Sequence, residues 1–397
     1  MTLHRPRTYQ QSLAPHPRQQ SPVPHPCDFF LSQGWEATKA EFIIPEASRS
    51  AAGRIADCKL PFILSIAFSC ILAASAQTGK SSAGLPLLLV ANQGDATISL
   101  IDPAQNRQTA LFAEGTAPIV VHEAATSPDG RLAYLPLYGD SGVGKPGIDG
   151  DTILVIDIAS QKIVNRLKFP HGVRPHCAIY DRGSNLLYVT TEIDQTVTVI
   201  DPKTMQIVGA IPTHQEQSHM LAISHDGLHG YTANVGPGTV SVLDLKARKF
   251  VTTIPIAATT QRISISNDDS MVFTSDQDKP RLAVIDTHTN KIRNWVQLSA
   301  PGYGSASTND GRLLLVTLPT AGSLEVVDLA TMKAIRTIQI GPKPQEVLVR
   351  PDGKVAYVSC FGGHQVAVVD LTTWHITAMI DAGQKADGMA WAAAYGK

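Results

Sequence analysis

The sequence predicts an all-β protein, a ring of seven four-stranded blades, and three observations support this prediction. A short phrase ending in Asp recurs along the chain, a turn of the Ser-Pro-Asp-Gly type precedes most copies, and the two ends of the repeat region complement each other. The Asp positions are 102, 157, 201, 244, 286, 328 and 370. Their spacings are 55, 44, 43, 42, 42 and 42 residues, which indicates an internal repeat.

Each repeat carries the signals of four short strands. A turn such as 127–130, 180–183 or 350–353 precedes a β-rich run such as 186–192 or 354–360. In these turns, Asp is expected to bond to nearby backbone and Gly to take the left-handed position. A third run leads into the recurring Asp, and a fourth begins at a basic residue in most copies: Arg107, Lys162, Lys249, Lys291 and Lys333. Four strands in 42 residues is the pattern of one propeller blade.

The ends of the repeat region predict how the ring closes. Residues 381–397 match only the first strand of a repeat, and residues 85–114 match only the later three. We therefore expect a seventh blade made of one C-terminal and three N-terminal strands. Closure of this kind removes the unpaired edges that an open sheet would expose.

The first 76 residues differ from the repeat region. Residues 1–53 are rich in Pro, Gln and His without apolar periodicity, and we interpret them as a disordered or mis-annotated extension whose true start lies downstream. Residues 54–76 have the features of a signal peptide: Arg54 and Lys59, the apolar run 60–74 and the small residues 74–76. An uncleaved anchor is the alternative, and N-terminal sequencing that finds Gln77 first would exclude it. Cleavage would leave a periplasmic or secreted propeller, 77–397.

Charge and cysteine content limit the partners of this propeller. Residues 77–397 hold 26 Lys and Arg against 29 Asp and Glu, a net charge of −3, and aromatic residues make up only 6% of the whole chain. These values disfavour nucleic-acid binding. Cys177 and Cys360 fall in separate blades, so we expect no disulfide. We expect a monomer with no integral membrane domain after signal cleavage.

The strand motifs resemble a known family. Residues 187–191 (LYVTT), 356–360 (AYVSC) and 90–93 (VANQ), with the recurring turn and the VID phrase, are similar to the YVTN family of β-propellers. The resemblance covers about 85–397 and implies a seven-bladed propeller, exported in relatives that include some called lactonases. The matching motifs specify turns and strands, so the resemblance implies no particular reaction.

Candidate functional residues follow from the repeat. The innermost strand of each blade lines the central channel, and counting back eight residues from the turn Gly gives equivalent positions. In blade 2, which is one residue shorter there, the counterpart is His176 instead of Pro175, and in the last blade the alignment of Gly341 with Gly383 gives Asp387. Around the ring the positions are Asp387, His122, His176, His219, Gln261 (counted from Asp269), Tyr303 and Gln345. Arg174 and Arg262 lie beside channel positions and could hold a carboxylate or phosphate. These nine residues form the predicted ligand-binding set at the channel mouth. Glu123, Glu192, Glu346 and His364 are plausible neighbours, the alternative being that each is a solvated loop residue.

A metal site is a narrower hypothesis on the same positions. His122, His176, His219 and Asp387 fall on adjacent blades, and imidazole with carboxylate suits a divalent transition metal such as Zn, Cu, Mn or Fe. The alternative is that these histidines bond to backbone or face a wet channel without converging. Cys177 is expected to pack between blades rather than to act as a nucleophile.

One loop is expected to reach this face. The spacing of 55 exceeds the usual period by 13 residues, which we place at 138–151, between the second and third strands. Loops longer than about 12 residues are usually functional or disordered. This segment could cover the channel mouth.

Two function classes remain open, and the sequence assigns no catalytic residue. The favoured hypothesis is an exported module that binds a small-molecule or protein ligand through the channel mouth. The alternative is a metal-dependent enzyme, a lactonase or other hydrolase, a lyase or an oxidase, using His122, His176 and His219.

Overall fold

The computed structural model describes residues 85–394, in which 29 strands form seven antiparallel sheets. Blade 1 holds β4 (Val120–Val121), β5 (Ala125–Thr126), β6 (Leu132–Gly139), β7 (Asp149–Asp157) and β8 (Lys162–Lys168). Blade 2 holds β9 (Pro175–Asp181), β10 (Leu186–Thr191), β11 (Thr196–Asp201) and β12 (Gln206–Pro212). Blade 3 holds β13 (Ser218–Ile223), β14 (His229–Asn234), β15 (Thr239–Asp244) and β16 (Lys249–Pro255).

The remaining sheets complete the ring. Blade 4 holds β17 (Ile263–Ile265), β18 (Met271–Asp276), β19 (Arg281–Asp286) and β20 (Lys291–Gln297). Blade 5 holds β21 (Ser305–Ser307), β22 (Leu313–Leu318), β23 (Ser323–Asp328) and β24 (Lys333–Gln339). Blade 6 holds β25 (Pro344–Val349), β26 (Val355–Cys360), β27 (Gln365–Asp370) and β28 (Ile376–Asp381). Blade 7 holds β29 (Ala386–Ala392), β1 (Leu87–Asn92), β2 (Thr97–Asp102) and β3 (Arg107–Ala113).

The predicted seven-bladed propeller is confirmed, including its closure. C-terminal β29 pairs with N-terminal β1, with Leu89 opposite Ala390. Inner strands contact one another around the whole ring, in the order β5, β9, β13, β17, β21, β25, β29 and back to β5. Every recurring Asp ends the third strand of its blade, and the five predicted basic residues each begin an outer strand.

The predicted hairpin chemistry holds in five blades and fails in blade 2. Gly130, Gly227, Gly311 and Gly353 have positive φ, and Asp269 takes the same conformation where blade 4 lacks the glycine. In blade 2, the left-handed residue is Asn185 with φ of 56°, so the assignment of Gly183 to this position was wrong. Asp181 accepts hydrogen bonds from the backbone N–H groups of residues 183 and 184, which moves the left-handed position two residues along.

Threonine in the second strand links neighbouring blades. In blade 2, Thr190 accepts a hydrogen bond from the backbone N–H of Cys177 and donates one to the carbonyl of His219 in blade 3, at 2.9 and 2.7 Å. Thr317 repeats this arrangement between blades 5 and 6, from Gly304 to Gln345. The threonine of the LYVTT motif therefore joins sheets and fixes where the inner strands begin.

Apolar side chains of the second and third strands fill the space between blades. Tyr231 and Val242 of blade 3 belong to one buried cluster with Cys177 of blade 2. Each fully buried apolar side chain of this size contributes about 1.5–3 kcal/mol. Cys177 and Cys360 are both buried free thiols, and the prediction that Cys177 packs between blades is confirmed. Residues 85–394 contain no helix long and apolar enough to cross a membrane. The predicted signal peptide and N-terminal extension lie outside the described residues.

Candidate functional site

The inner strands converge on one site because most of them carry a β-bulge where they begin. The register of β13 against β14 shifts between Ser218 and Met220, which leaves His219 as the extra residue. β9, β25 and β29 show the same shift beside His176, Gln345 and Asp387. A bulge re-aims side chains and is frequent next to functional sites. It also breaks strict alternation, so successive residues can point to the same side.

Three of the predicted histidines form a contiguous cluster. The rings of His176 and His219 stack with centroids 3.4 Å apart, and His122 meets the edge of His176 at 5.3 Å. Tyr138 lies against all three rings at 4.7–5.6 Å. Its side chain is fully buried, as are those of His176 and His219, whereas His122 is half-buried. We call these four residues the histidine cluster.

Hydrogen bonds fix the proton on His219. Gln261 donates its amide N–H to Nε2 of His219 at 3.1 Å, so Nε2 accepts and Nδ1 carries the proton. Nδ1 donates to the buried carboxylate of Glu192, which also accepts the hydroxyl hydrogen bond of Tyr138 at 2.9 Å. A carboxylate on Nδ1 holds an imidazole in one tautomer and one orientation.

The surroundings keep the other two imidazoles unprotonated. Burial lowers the pKa of His122 to about 3, and the electrostatic effects of neighbouring His219 and Arg262 act in the same direction. Burial and the neighbouring histidines also place the pKa of His176 well below its usual value. Nδ1 of His176 is buried and has no hydrogen-bond partner. The cluster therefore presents neutral imidazole nitrogens, one of which lacks the partner that buried polar atoms normally have.

A second buried group lies at the centre of the ring. The guanidinium of Arg262, from blade 4, lies 2.7 Å from Glu123 of blade 1 and 2.9 Å from Asp387 of blade 7. Gln93 also donates to Asp387, and Glu346 of blade 6 accepts the backbone N–H of Met389 beside it. Side chains from four blades thus meet across the channel, with one arginine against three carboxyl groups. We call Arg262, Glu123, Glu346 and Asp387 the arginine cluster.

The charge imbalance of the arginine cluster is visible in its pKa values. Burial raises the pKa of Glu123 well above its usual range and that of Glu346 to about 7, in spite of Arg262. Burial also raises the pKa of Asp387. For Arg262, burial disfavours the charged form, but Glu123 and Asp387 outweigh it, so its pKa is raised. Arg262 therefore stays charged, and protons can occupy the carboxyl groups that it does not neutralise.

The metal hypothesis is not supported by this arrangement. No group of three or more His, Cys, Asp or Glu side chains within residues 85–394 is positioned to hold a metal ion. Asp387 pairs with Arg262 and Gln93, and His219 uses both ring nitrogens in bonds to Glu192 and Gln261. The predicted set of His122, His176, His219 and Asp387 is therefore divided between two clusters.

Arg174 bonds to a segment of its own chain. Its Nε pairs with Asp149, and its Nη atoms donate to the carbonyls of Gly142 and Lys145 and to the hydroxyl of Ser141, at 2.8–3.2 Å. Three of these partners lie in the loop between β6 and β7, and Asp149 is the first residue of β7. Arg174 thus binds a loop of its own chain, and its role in holding an anion stays a prediction.

The remaining predicted positions lie around the arginine cluster. Tyr303 is half-buried, with the guanidinium of Arg262 5.4 Å from the centre of its ring. Gln345 is half-buried, and its side-chain oxygen has no partner. From the sequence, Glu123, Glu192 and Glu346 were plausible neighbours and no more. Glu123 and Glu192 are buried and Glu346 is half-buried. Their positions depend on bulges and on bonds between blades, which the spacing of the repeat does not encode.

Comparisons with known proteins agree on the fold. The family model described as "Cytochrome D1 heme domain" matches residues 181–302, less than half of the chain. This segment contains Glu192, His219, Gln261 and Arg262. No curated protein matches the sequence.

The solved structures similar to this chain include the following two. Hydrazine synthase from Kuenenia stuttgartiensis has 16% identity and a TM-score of 0.58, covering 70% of this chain and 92% of its own. Dihydro-heme d1 dehydrogenase NirN, solved in complex with DHE, has 15% identity and a TM-score of 0.56, covering 76% of this chain and 74% of its own. At these identities the likeness shows the propeller fold. The YVTN resemblance is not confirmed by these comparisons.

Proposed function

We propose that this propeller binds a planar tetrapyrrole of the heme type at the histidine cluster. The observation that carries the proposal is the assembly of three imidazoles from three blades, two of them kept neutral, beside a buried tyrosine. The proposal makes the favoured sequence hypothesis, a ligand-binding channel mouth, more specific.

The side chains present fit such a group. An imidazole must be unprotonated to ligate iron, and half-buried His122, with its pKa of about 3, meets this condition. The buried rings of Tyr138 and His176 pack against His122 and would orient it as the iron ligand. Arg174 lies over the ring of Tyr138 at 5.5 Å and could pair with a carboxylate substituent. A bound heme would supply redox-active iron, and this chain would hold and orient it.

The comparisons support this ligand class without establishing it. The heme-domain model overlaps blades 2 to 4, where His219 lies with its partners Glu192 and Gln261. One of the two similar solved structures is that of a dihydro-heme d1 dehydrogenase. Both observations concern other proteins, and we carry the ligand class over as part of the proposal. The predicted signal peptide at 54–76 would place this ligand-binding propeller outside the cytoplasm.

Titration with hemin tests the proposal. We expect the wild-type protein to bind one hemin per chain with a shifted Soret band, and His122→Ala to weaken binding at least tenfold because the neutral imidazole is lost. The loss of a contact worth about 1.4 kcal/mol of binding free energy already raises the Kd tenfold. His229 lies exposed at the start of β14, so His229→Ala is the matched control. Equal binding by all three proteins, or none by the wild type, would refute the proposal.

A second candidate function rests on the Glu192–His219 hydrogen bond. A carboxylate that orients an imidazole is the arrangement of a general base, which suits the alternative of a hydrolase or lyase without requiring a metal. In this structure, Nε2 of His219 is engaged by Gln261, so a substrate would have to displace that amide. Turnover of a lactone that is lost in Glu192→Gln, without hemin binding, would favour this candidate.

A further inference from the structure

The histidine cluster is covered by the inserted segment, which reaches across blade 2. β6 and β7 are longer than their counterparts, and residues 140–148 join them. Val143 at the loop centre is buried, and it packs against Tyr138 of blade 1 and Val235 of blade 3. Gly144 and Gly236 both lie against the amide of Gln217, on the blade 3 side. The loop thus spans from blade 1 to blade 3 over the place where the imidazoles meet.

One side chain connects this loop to blade 2. The guanidinium of Arg174, which is only 5% exposed, bonds to four residues between 141 and 149. It lies immediately before β9, the strand that carries His176. Asp149, its charged partner, has a side chain that is 39% exposed, so this end of the contact reaches solvent. Arg174 and Val143 are therefore two side chains that attach the loop, in addition to Gln217.

We propose that residues 140–148 form a lid over the histidine cluster, held shut by Arg174 and by the packing of Val143. The inference extends the proposed ligand site, since any ligand of the buried imidazoles requires this cover to move. Charge-assisted bonds to a buried guanidinium are among the stronger polar contacts in proteins, so removing them should shift the lid towards open states. An acidic ligand that competes with Asp149 for Arg174 would open the lid in the same way.

Chemical access to the histidines tests the lid without any ligand. Diethyl pyrocarbonate modifies unprotonated imidazoles, and the rate at each site can be measured by mass spectrometry. In Arg174→Met, we expect His122 and His176 to react at least tenfold faster than in the wild type, with faster hydrogen exchange in peptides covering 138–151. Arg166→Met, on the exposed outer strand β8, is the matched control and should leave both rates unchanged.

A second variant keeps the test valid if Arg174→Met fails to fold. Val143→Ser weakens the apolar contact from within the loop, and its expected effect has the same direction. Unchanged histidine modification in both variants, or an increase that only follows global unfolding in urea, would overturn the lid. Faster modification without hemin binding would support the lid and refute the tetrapyrrole. If both variants bind hemin at the wild-type rate, residues 140–148 do not control entry of the ligand, and the lid proposal is wrong.

Discussion

Replacing Arg262 with methionine should lower the free energy of unfolding by about 3–5 kcal/mol at neutral pH, the range found when one partner of a buried ion pair is removed. The guanidinium is buried between Glu123 and Asp387, with Glu346 close by. Its loss would leave three carboxyl groups at the centre of the ring without a counter-charge. Urea denaturation of the wild type and the variant measures the difference.

A compensated variant separates charge from packing. If missing charge is the cause, adding Glu123→Gln and Asp387→Asn to Arg262→Met should recover a large part of the lost stability. The loss in Arg262→Met alone should also shrink in acid, where the carboxyl groups take up protons. A loss below about 1 kcal/mol for the single variant, the size typical of an exposed pair, would contradict the arginine cluster described above.

The second large effect is acid sensitivity caused by His122. Its pKa is about 3 in the folded protein, against an ordinary value of 6.5. Between these two values the unfolded chain binds a proton that the folded protein does not, so the contribution of His122 to stability is present above pH 6.5 and is lost as pH falls. One group contributes about 1.4 kcal/mol per pH unit in that range. When the pH falls from about 7 to about 4, the free energy of unfolding of His122→Gln should therefore rise by roughly 3 kcal/mol relative to that of the wild type.

The comparison with wild type is needed because the carboxyl groups act in the opposite direction. The raised pKa of Glu346, about 7, means that its contribution to stability is present in acid and is lost as pH rises through 7. Subtracting the free energy of unfolding of the wild type from that of His122→Gln at each pH removes the contribution of the carboxyl groups, which both proteins share. The exposed residue His229, changed to Gln, should show no such shift. A shift in His122→Gln no larger than in this control would show that His122 is protonated normally.

The fold could be predicted from the sequence because its determinants are local and repeated. Each recurring Asp ends a third strand and bonds to the backbone of the turn after it, as Asp157 does with Ser160, so its position marks the same point in every blade. The turn in blade 2 was misassigned because Asp181 there bonds to backbone further along. A single change in turn chemistry alters one hairpin and leaves the ring intact.

The candidate site could be predicted only in part. Counting residues predicted that His122, His176 and His219 lie close together, and the contacts between their rings confirm this. The counting selects one position in each blade, and Glu123 and Glu346 each lie one residue beyond the selected position; strict strand alternation would direct them to the other face of the strand. Bulges cancel that alternation, so the arginine cluster forms and takes Asp387 away from the histidines. Pairing across the ring depends on three-dimensional proximity, which repeat spacing alone does not specify.

The most direct test of the central claim is a crystal structure of the protein grown with hemin. We expect electron density for the macrocycle beside His122, with residues 140–148 displaced and the arginine cluster unchanged beneath. Density on an outer strand or between copies of the chain, with the histidine cluster still covered, would contradict the proposed site.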